Sequence, residues 1–145
     1  LERFRRLLAG GPLLLGLDQP RDPSLLEAAY NDAAGISAAF ARNLLHRLNR
    51  ELNGNVRPEQ FHYRARWQPQ HQRIEMALVS RCEQTVQLAQ QSWAFAEGEA
   101  LITEHSVKYS PEAAAELASR AGWRIRQRWH DPNDTLSLHW LEPAD

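Results

Sequence analysis

Ala100-Leu101-Ile102-Thr103-Glu104-His105-Ser106-Val107-Lys108-Tyr109, followed at once by Ser110-Pro111-Glu112, is the stretch whose reading decides the fold. Read as a strand, it puts Ile102, Glu104, Ser106 and Lys108 on one face and Leu101, Thr103, His105, Val107 and Tyr109 on the other. A carboxylate and a hydroxyl then stand side by side. Ser110-Pro111-Glu112-Ala113 is an N-terminal helix signature, and the alanine-rich run that follows is predicted to stop at Gly122.

On the upstream side, Phe61 to Trp67 and Arg73 to Ser80 alternate in character about the polar turn Gln68-Pro69-Gln70-His71-Gln72, which predicts an antiparallel pair. Gln84 to Leu88 is expected as a short third strand, and Gly98 as the turn that brings the opening stretch into the same sheet. Before these lie two helical segments. Asp22-Pro23-Ser24 caps the first, which ends at Tyr30 before the turn residues Asn31, Asp32 and Gly35. The second carries Ile36, Phe40, Leu44, Leu45, Leu48 and Leu52 on one stripe and ends at Asn53-Gly54-Asn55. At the start, Leu1 to Leu8 has helical spacing and stops at Gly10-Gly11. Pro12 to Asp18 is a nearly continuous aliphatic run, expected as a buried parallel strand with Asp18 at its carboxyl end as a loop-capping residue. Trp123 to Trp129 and Thr135 to Leu141, joined by His130-Asp131-Pro132-Asn133-Asp134, are expected as a closing hairpin.

This order predicts an α/β chain, α+β in the segment present. A parallel α/β core, residues 1–23 and 111–145, would carry an inserted helix-plus-antiparallel-sheet domain, residues 24–110. The 145 residues suit one compact domain. A formal net charge of -1 gives no basic surface for nucleic acid, even with five tryptophans and interleaved arginines. No apolar run reaches the roughly 20 residues that span a bilayer. The single cysteine, Cys82, rules out an internal disulfide framework and fits a reducing, cytoplasmic setting. The chain opens on Leu1 without a methionine, which is read here as a fragment of a longer protein.

The six histidines (46, 62, 71, 105, 130 and 139) are scattered without ligand spacing, so no metal is expected. There is no G-x-S-x-G elbow, no P-loop and no G-x-G-x-x-G turn. The remaining chemistry is small-molecule recognition by Glu104 and Ser106. A carboxylate beside a hydroxyl suits a planar group with two ring nitrogens, one donating to the carboxylate and the other met by the hydroxyl, as in an imidazole. The competing reading is a solvent-facing strand on which Lys108 pairs with Glu104. Tyr30 has two readings as well: a helix-end hydroxyl pointing into a cleft, or a core ring with its hydroxyl on solvent. Met76, sharing a face with Ile74 and Leu78, reads as core.

Ala28-Ala29-Tyr30-Asn31-Asp32-Ala33-Ala34-Gly35-Ile36-Ser37-Ala38-Ala39-Phe40, Asn43-Leu44-Leu45 and Leu48-Asn49-Arg50-Glu51-Leu52 resemble the histidine-specific methyltransferase family that makes hercynine for ergothioneine biosynthesis. Arg73-Ile74-Glu75-Met76, Gly98-Glu99, Thr103 to Tyr109, and Ala121-Gly122-Trp123 continue the resemblance in order across nearly the whole chain. The resemblance implies an S-adenosylmethionine-dependent enzyme that trimethylates the α-amino group of L-histidine. It also implies that Glu104 and Ser106 hold the imidazole, Tyr30 binds the substrate carboxylate, Met76 lines the pocket, and Ser37 stands near it where the family often has threonine. The family's glycine-rich cofactor turn, its ribose-binding acid, and an asparagine and tyrosine for the amino acid are not in this chain. The chain therefore resembles the carboxyl-terminal part, the late strands of a Rossmann-like sheet plus the inserted substrate domain, and is expected to be inactive alone. In the complete enzyme a neutral amine attacks the sulfonium methyl in line, so the protein's task is placement. The alternatives are a non-catalytic amino-acid-binding or interaction domain, and a related methyltransferase acting on a different amine.

Overall fold

The computed structural model describes residues 1–144 and has an α+β architecture of four α-helices, two short 3-10 turns and eight strands among them. Contacts divide the chain into two compact units, 1–21 with 107–145, and 22–106.

In the first unit, helix α1 (Glu2–Leu7) leads to strand β1 (Leu13–Asp18). Helix α4 (Pro111–Arg120) starts where Ser110 accepts a hydrogen bond from the Ala113 amide at 3.2 Å, as its capping sequence predicts. Strands β7 (Trp123–His130) and β8 (Leu136–Pro143) form the expected closing hairpin, and the sheet order is β1-β8-β7. Both pairings are antiparallel. The neighbour that the structure describes for the strand expected at residues 12–18 is thus antiparallel. β1 takes β8 as an antiparallel neighbour and alternates half-buried and exposed positions from Leu13 to Leu17, with Leu14 54% exposed. An aliphatic run cannot distinguish a strand covered on both faces from one covered on a single face. On the covered face Ala118, Trp123 and Leu141 form the core, with Leu13, Leu15 and Ile125 packed around them.

Asp18 ends β1 as the counter-ion of a buried lysine. Lys108 Nζ lies 2.6 Å from its Oδ2 and Arg21 Nη1 lies 2.8 Å from its Oδ1. Lys108 is 1% exposed, so its ammonium does not stand on the solvent-facing surface considered above.

The second unit begins with helix α2 (Pro23–Tyr30), capped by Asp22, whose side chain accepts the Ser24 amide at 2.8 Å. Helix α3 (Ile36–Leu52) follows a turn in which Gly35 takes the left-handed conformation (φ 70°) that favours glycine. Strands β2 (Phe61–Gln68) and β3 (Arg73–Ser80) pair antiparallel, and β6 (Ala100–Val107) joins them in the order β2-β3-β6. Gln84–Leu88 forms a strand, β4, but not in this sheet. It pairs with β5 (Gln91–Phe95) as a separate hairpin, turning through Ala89 and Gln90 with positive φ. That turn lacks the Asn-Gly or Gly-rich signature of tight hairpins, which is why β5 is illegible in the sequence.

Two clusters form the core of this unit. Leu45, Val56, Phe61, Leu78 and Val86 fill one, and Leu26, Ala65, Ile74 and Met76 the other. Two asparagines tie irregular backbone to these cores in the same manner. Asn49 bonds both the carbonyl and the amide of Val56 (2.7 and 2.8 Å), and Asn31 bonds both the carbonyl and the amide of Ala65 (3.0 and 3.1 Å).

Candidate functional site

Within the second unit a cavity of about 590 Å³ opens between the amino-terminal half of α3, the end of α2 and strand β6. The five residues singled out from the sequence, Tyr30, Ser37, Met76, Glu104 and Ser106, all line it. Tyr30 is the last residue of α2, and its Oη lies 2.7 Å from Ser106 Oγ, so its hydroxyl is engaged within the cavity and not on solvent. Met76 is 7% exposed and belongs to the core cluster that also packs against Tyr30, so its core reading and its pocket reading describe one position. Ser106 faces Tyr30, and Glu104, two residues earlier on β6, shares that face. His105 also lines the cavity and is engaged with Glu75, its Nε2 lying 3.1 Å from Glu75 Oε2.

Asp32 holds the start of α3. Its carboxylate accepts the amides of Ile36 and Ser37 at 2.8 and 2.9 Å. Hydrogen bonds from the Ser37 side chain and amide, with that of the Ile36 amide, hold its pKa down at about 2. Ser37 therefore lines the cavity as a residue already bonded to Asp32. Burial pushes the Tyr63 phenol above its ordinary range, and the charges of Glu104 and then Asp32 push it the same way.

Sequence reasoning missed Tyr63, Phe40 and Ile36 as lining residues. Ile36 and Phe40 were placed on the apolar stripe of α3, yet they are 71% and 74% exposed, and only Leu45 of that helix is fully buried. A stripe signals which face is apolar, not whether chain or cavity meets it. Tyr63 could have been found from register, because it shares a face of β2 with Ala65, the partner of Met76.

The profile of the family described as "Histidine-specific methyltransferase, SAM-dependent" matches residues 1–143. The chain belongs to this family. It is 41% identical over 134 residues to the histidine N-alpha-methyltransferase of Mycolicibacterium smegmatis, covering 91% of this chain and 42% of that protein. It is 40% identical over 132 residues to the protein of the same name from Mycobacterium tuberculosis, covering 89% of this chain and 41% of that protein. The chain thus spans about two fifths of the length of these relatives.

The cavity combines a carboxylate, several hydroxyls and apolar side chains, the mixed lining usual for small-molecule pockets. Among the described residues no cluster of three or more His, Cys, Asp or Glu is placed to hold a metal ion, and no helix is long and apolar enough to cross a membrane.

Proposed function

We propose that this chain is the substrate-reading part of an S-adenosylmethionine-dependent L-histidine Nα-methyltransferase that makes hercynine for ergothioneine biosynthesis. The observation that carries the reading is the 2.7 Å pairing of Tyr30 with Ser106 in a cavity that Glu104 also lines, in a chain of this family. Glu104 accepts one ring N–H of histidine, and Ser106, a hydroxyl that can donate or accept, meets the other ring nitrogen. Tyr30 takes the substrate carboxylate, Met76 supplies an apolar wall, and Ser37 lies at the rim with Asp32. Anchored at both ends, the amino acid keeps its amine in one place through successive methylations.

S-adenosylmethionine supplies an activated methyl group when bound. None of this chain's residues is assigned to hold it, because the chain has no glycine-rich turn after a strand. In the same reading, residues 1–23 and 111–145 are late elements of a Rossmann-like core, residues 24–110 are the insert, the isolated chain is inactive, and the protein is cytoplasmic.

Calorimetric titration of the full-length protein with L-histidine and a panel of other amino acids, together with a methyl-transfer assay, tests the proposal. Binding and methylation that favour histidine are expected. Lack of preference for histidine would point to a different amine substrate, and binding without transfer to an amino-acid-binding module.

A further inference from the structure

We infer that Asn31 is the positioning residue for the Tyr30 hydroxyl, a role that rests on the proposed histidine site for its functional meaning. β2 is an edge strand of its sheet, and the backbone groups of Ala65 bonded by Asn31 are the pair directed away from β3. An open edge of this kind needs partners. Helix α2 supplies them with side chains: Asn31 meets Ala65, and Glu27 Oε1 accepts the Trp67 amide at 2.8 Å.

Both donors and the acceptor oxygen of the Asn31 amide are engaged by this arrangement. Its nitrogen donates to the carbonyls of Ala65 (3.0 Å) and Glu27 (2.8 Å), and its oxygen accepts from the Ala65 amide (3.1 Å). Only an asparagine has two donors and an acceptor at this reach: aspartate has no donor, and glutamine is one methylene longer. Asn31 also terminates α2, with non-helical φ -113° and ψ 51°. The residue immediately before it is Tyr30, whose ring packs on the Leu26, Ala65, Ile74 and Met76 cluster and whose hydroxyl reaches Ser106. The clamp therefore fixes the end of the helix one residue from the hydroxyl that must be placed, and fixes it to the strand whose Ala65 is part of the same core.

The test compares Asn31→Asp, Asn31→Ala, Tyr30→Phe and the Asn31→Ala/Tyr30→Phe double variant in the full-length protein. Asn49→Ala is the control, since Asn49 makes the same two-bond clamp on Val56 outside the cavity lining. Two readouts are taken on folded protein, verified by circular dichroism: the 13Cζ resonance of Tyr30, and the Kd for L-histidine. Both Asn31 variants are expected to shift the Tyr30 resonance as Ser106→Ala does, and to weaken histidine binding by about tenfold, within the range for a mispositioned group. The double variant is expected to be no weaker than the weaker single one, because Asn31 acts through Tyr30. Asn49→Ala is expected to lower the Tm while leaving resonance and Kd in place. An unchanged Tyr30 resonance, an unchanged Kd despite a shifted resonance, or additive losses in the double variant would each overturn the assignment. Failure of the wild-type protein to bind histidine overturns the substrate proposal instead, and leaves the resonance comparison standing as a test of the clamp.

Discussion

Tyr30 Oη and Ser106 Oγ stand 2.7 Å apart although 76 positions separate them in the chain. The end of α2 and the strand that carries Glu104 are joined by this hydrogen bond at the wall of the cavity. Removing either hydroxyl leaves the other without this partner, so Tyr30→Phe and Ser106→Ala are coupled and not independent changes. Each is expected to weaken histidine binding by roughly five- to thirtyfold, and the double variant by clearly less than the product. A double-mutant cycle on Kd measures this, and strictly multiplicative losses would contradict a shared hydroxyl pair.

Glu104 carries the proposed recognition of the ring. Glu104→Gln keeps the shape but loses the charge, and a hydrogen bond to a charged group is worth about 1.5–3 kcal/mol. Histidine use in the full-length protein is expected to fall by at least tenfold in kcat/KM. Unchanged kinetics would remove Glu104 from the site.

Gly54 tests the packing of the loop after α3. A Cβ built there would run into Leu88 Cδ2 and lie 2.8 Å from Asn49 Oδ1. Asn49 is held by its clamp on Val56, and Leu88, only partly buried, would have to shift. Gly54→Ala is expected to destabilise by about 1–3 kcal/mol, the usual cost of overpacking, read as a lower midpoint in urea.

The Lys108–Asp18 pair predicts an asymmetry. Asp18→Ala strips a partner from a lysine that is 1% exposed, whereas Lys108→Met removes the buried charge and keeps the volume. The first is expected to cost about 3 kcal/mol, somewhat less where water reaches the half-open Asp18 site, and the second markedly less. Equal losses in chemical denaturation would argue that packing alone decides.

His139 predicts a dependence on pH. It is 1% exposed, its Nε2 lies 2.8 Å from Ser137 Oγ, and its Nδ1 is buried with no partner among the described residues. Burial first, then the charges of Arg128 and His130, lower its pKa from the usual 6.5. Above about pH 6.5 the ring is neutral in the folded and unfolded chain alike. As pH falls below that value the unfolded chain takes up the proton first, so stability declines. The Tm of wild type is expected to drop between pH 7.5 and 5.5 more steeply than that of His139→Gln. Parallel profiles would exclude His139 as the cause.

Local signals in the sequence determined most element boundaries. Asp22-Pro23 and Ser110-Pro111 are helix starts because cap geometry is local, and alternation located β2, β3 and β6 because side chains change face at every residue. Sequence also put Glu104 and Ser106 on one strand face. It could not decide partners. Whether β1 pairs parallel or antiparallel, whether β4 joins the larger sheet, and where Lys108 finds its counter-ion depend on elements far away in the chain. For Glu104 and Ser106, periodicity by itself favoured a solvated surface carrying a Lys108 ion pair. The structure leaves Glu104 exposed, but it buries Lys108 against Asp18 and brings Tyr30 from the end of α2 onto Ser106 at the wall of a cavity. A pocket is made of residues that the chain keeps apart, and only the packing of a helix end against a strand edge brings them within hydrogen-bonding distance.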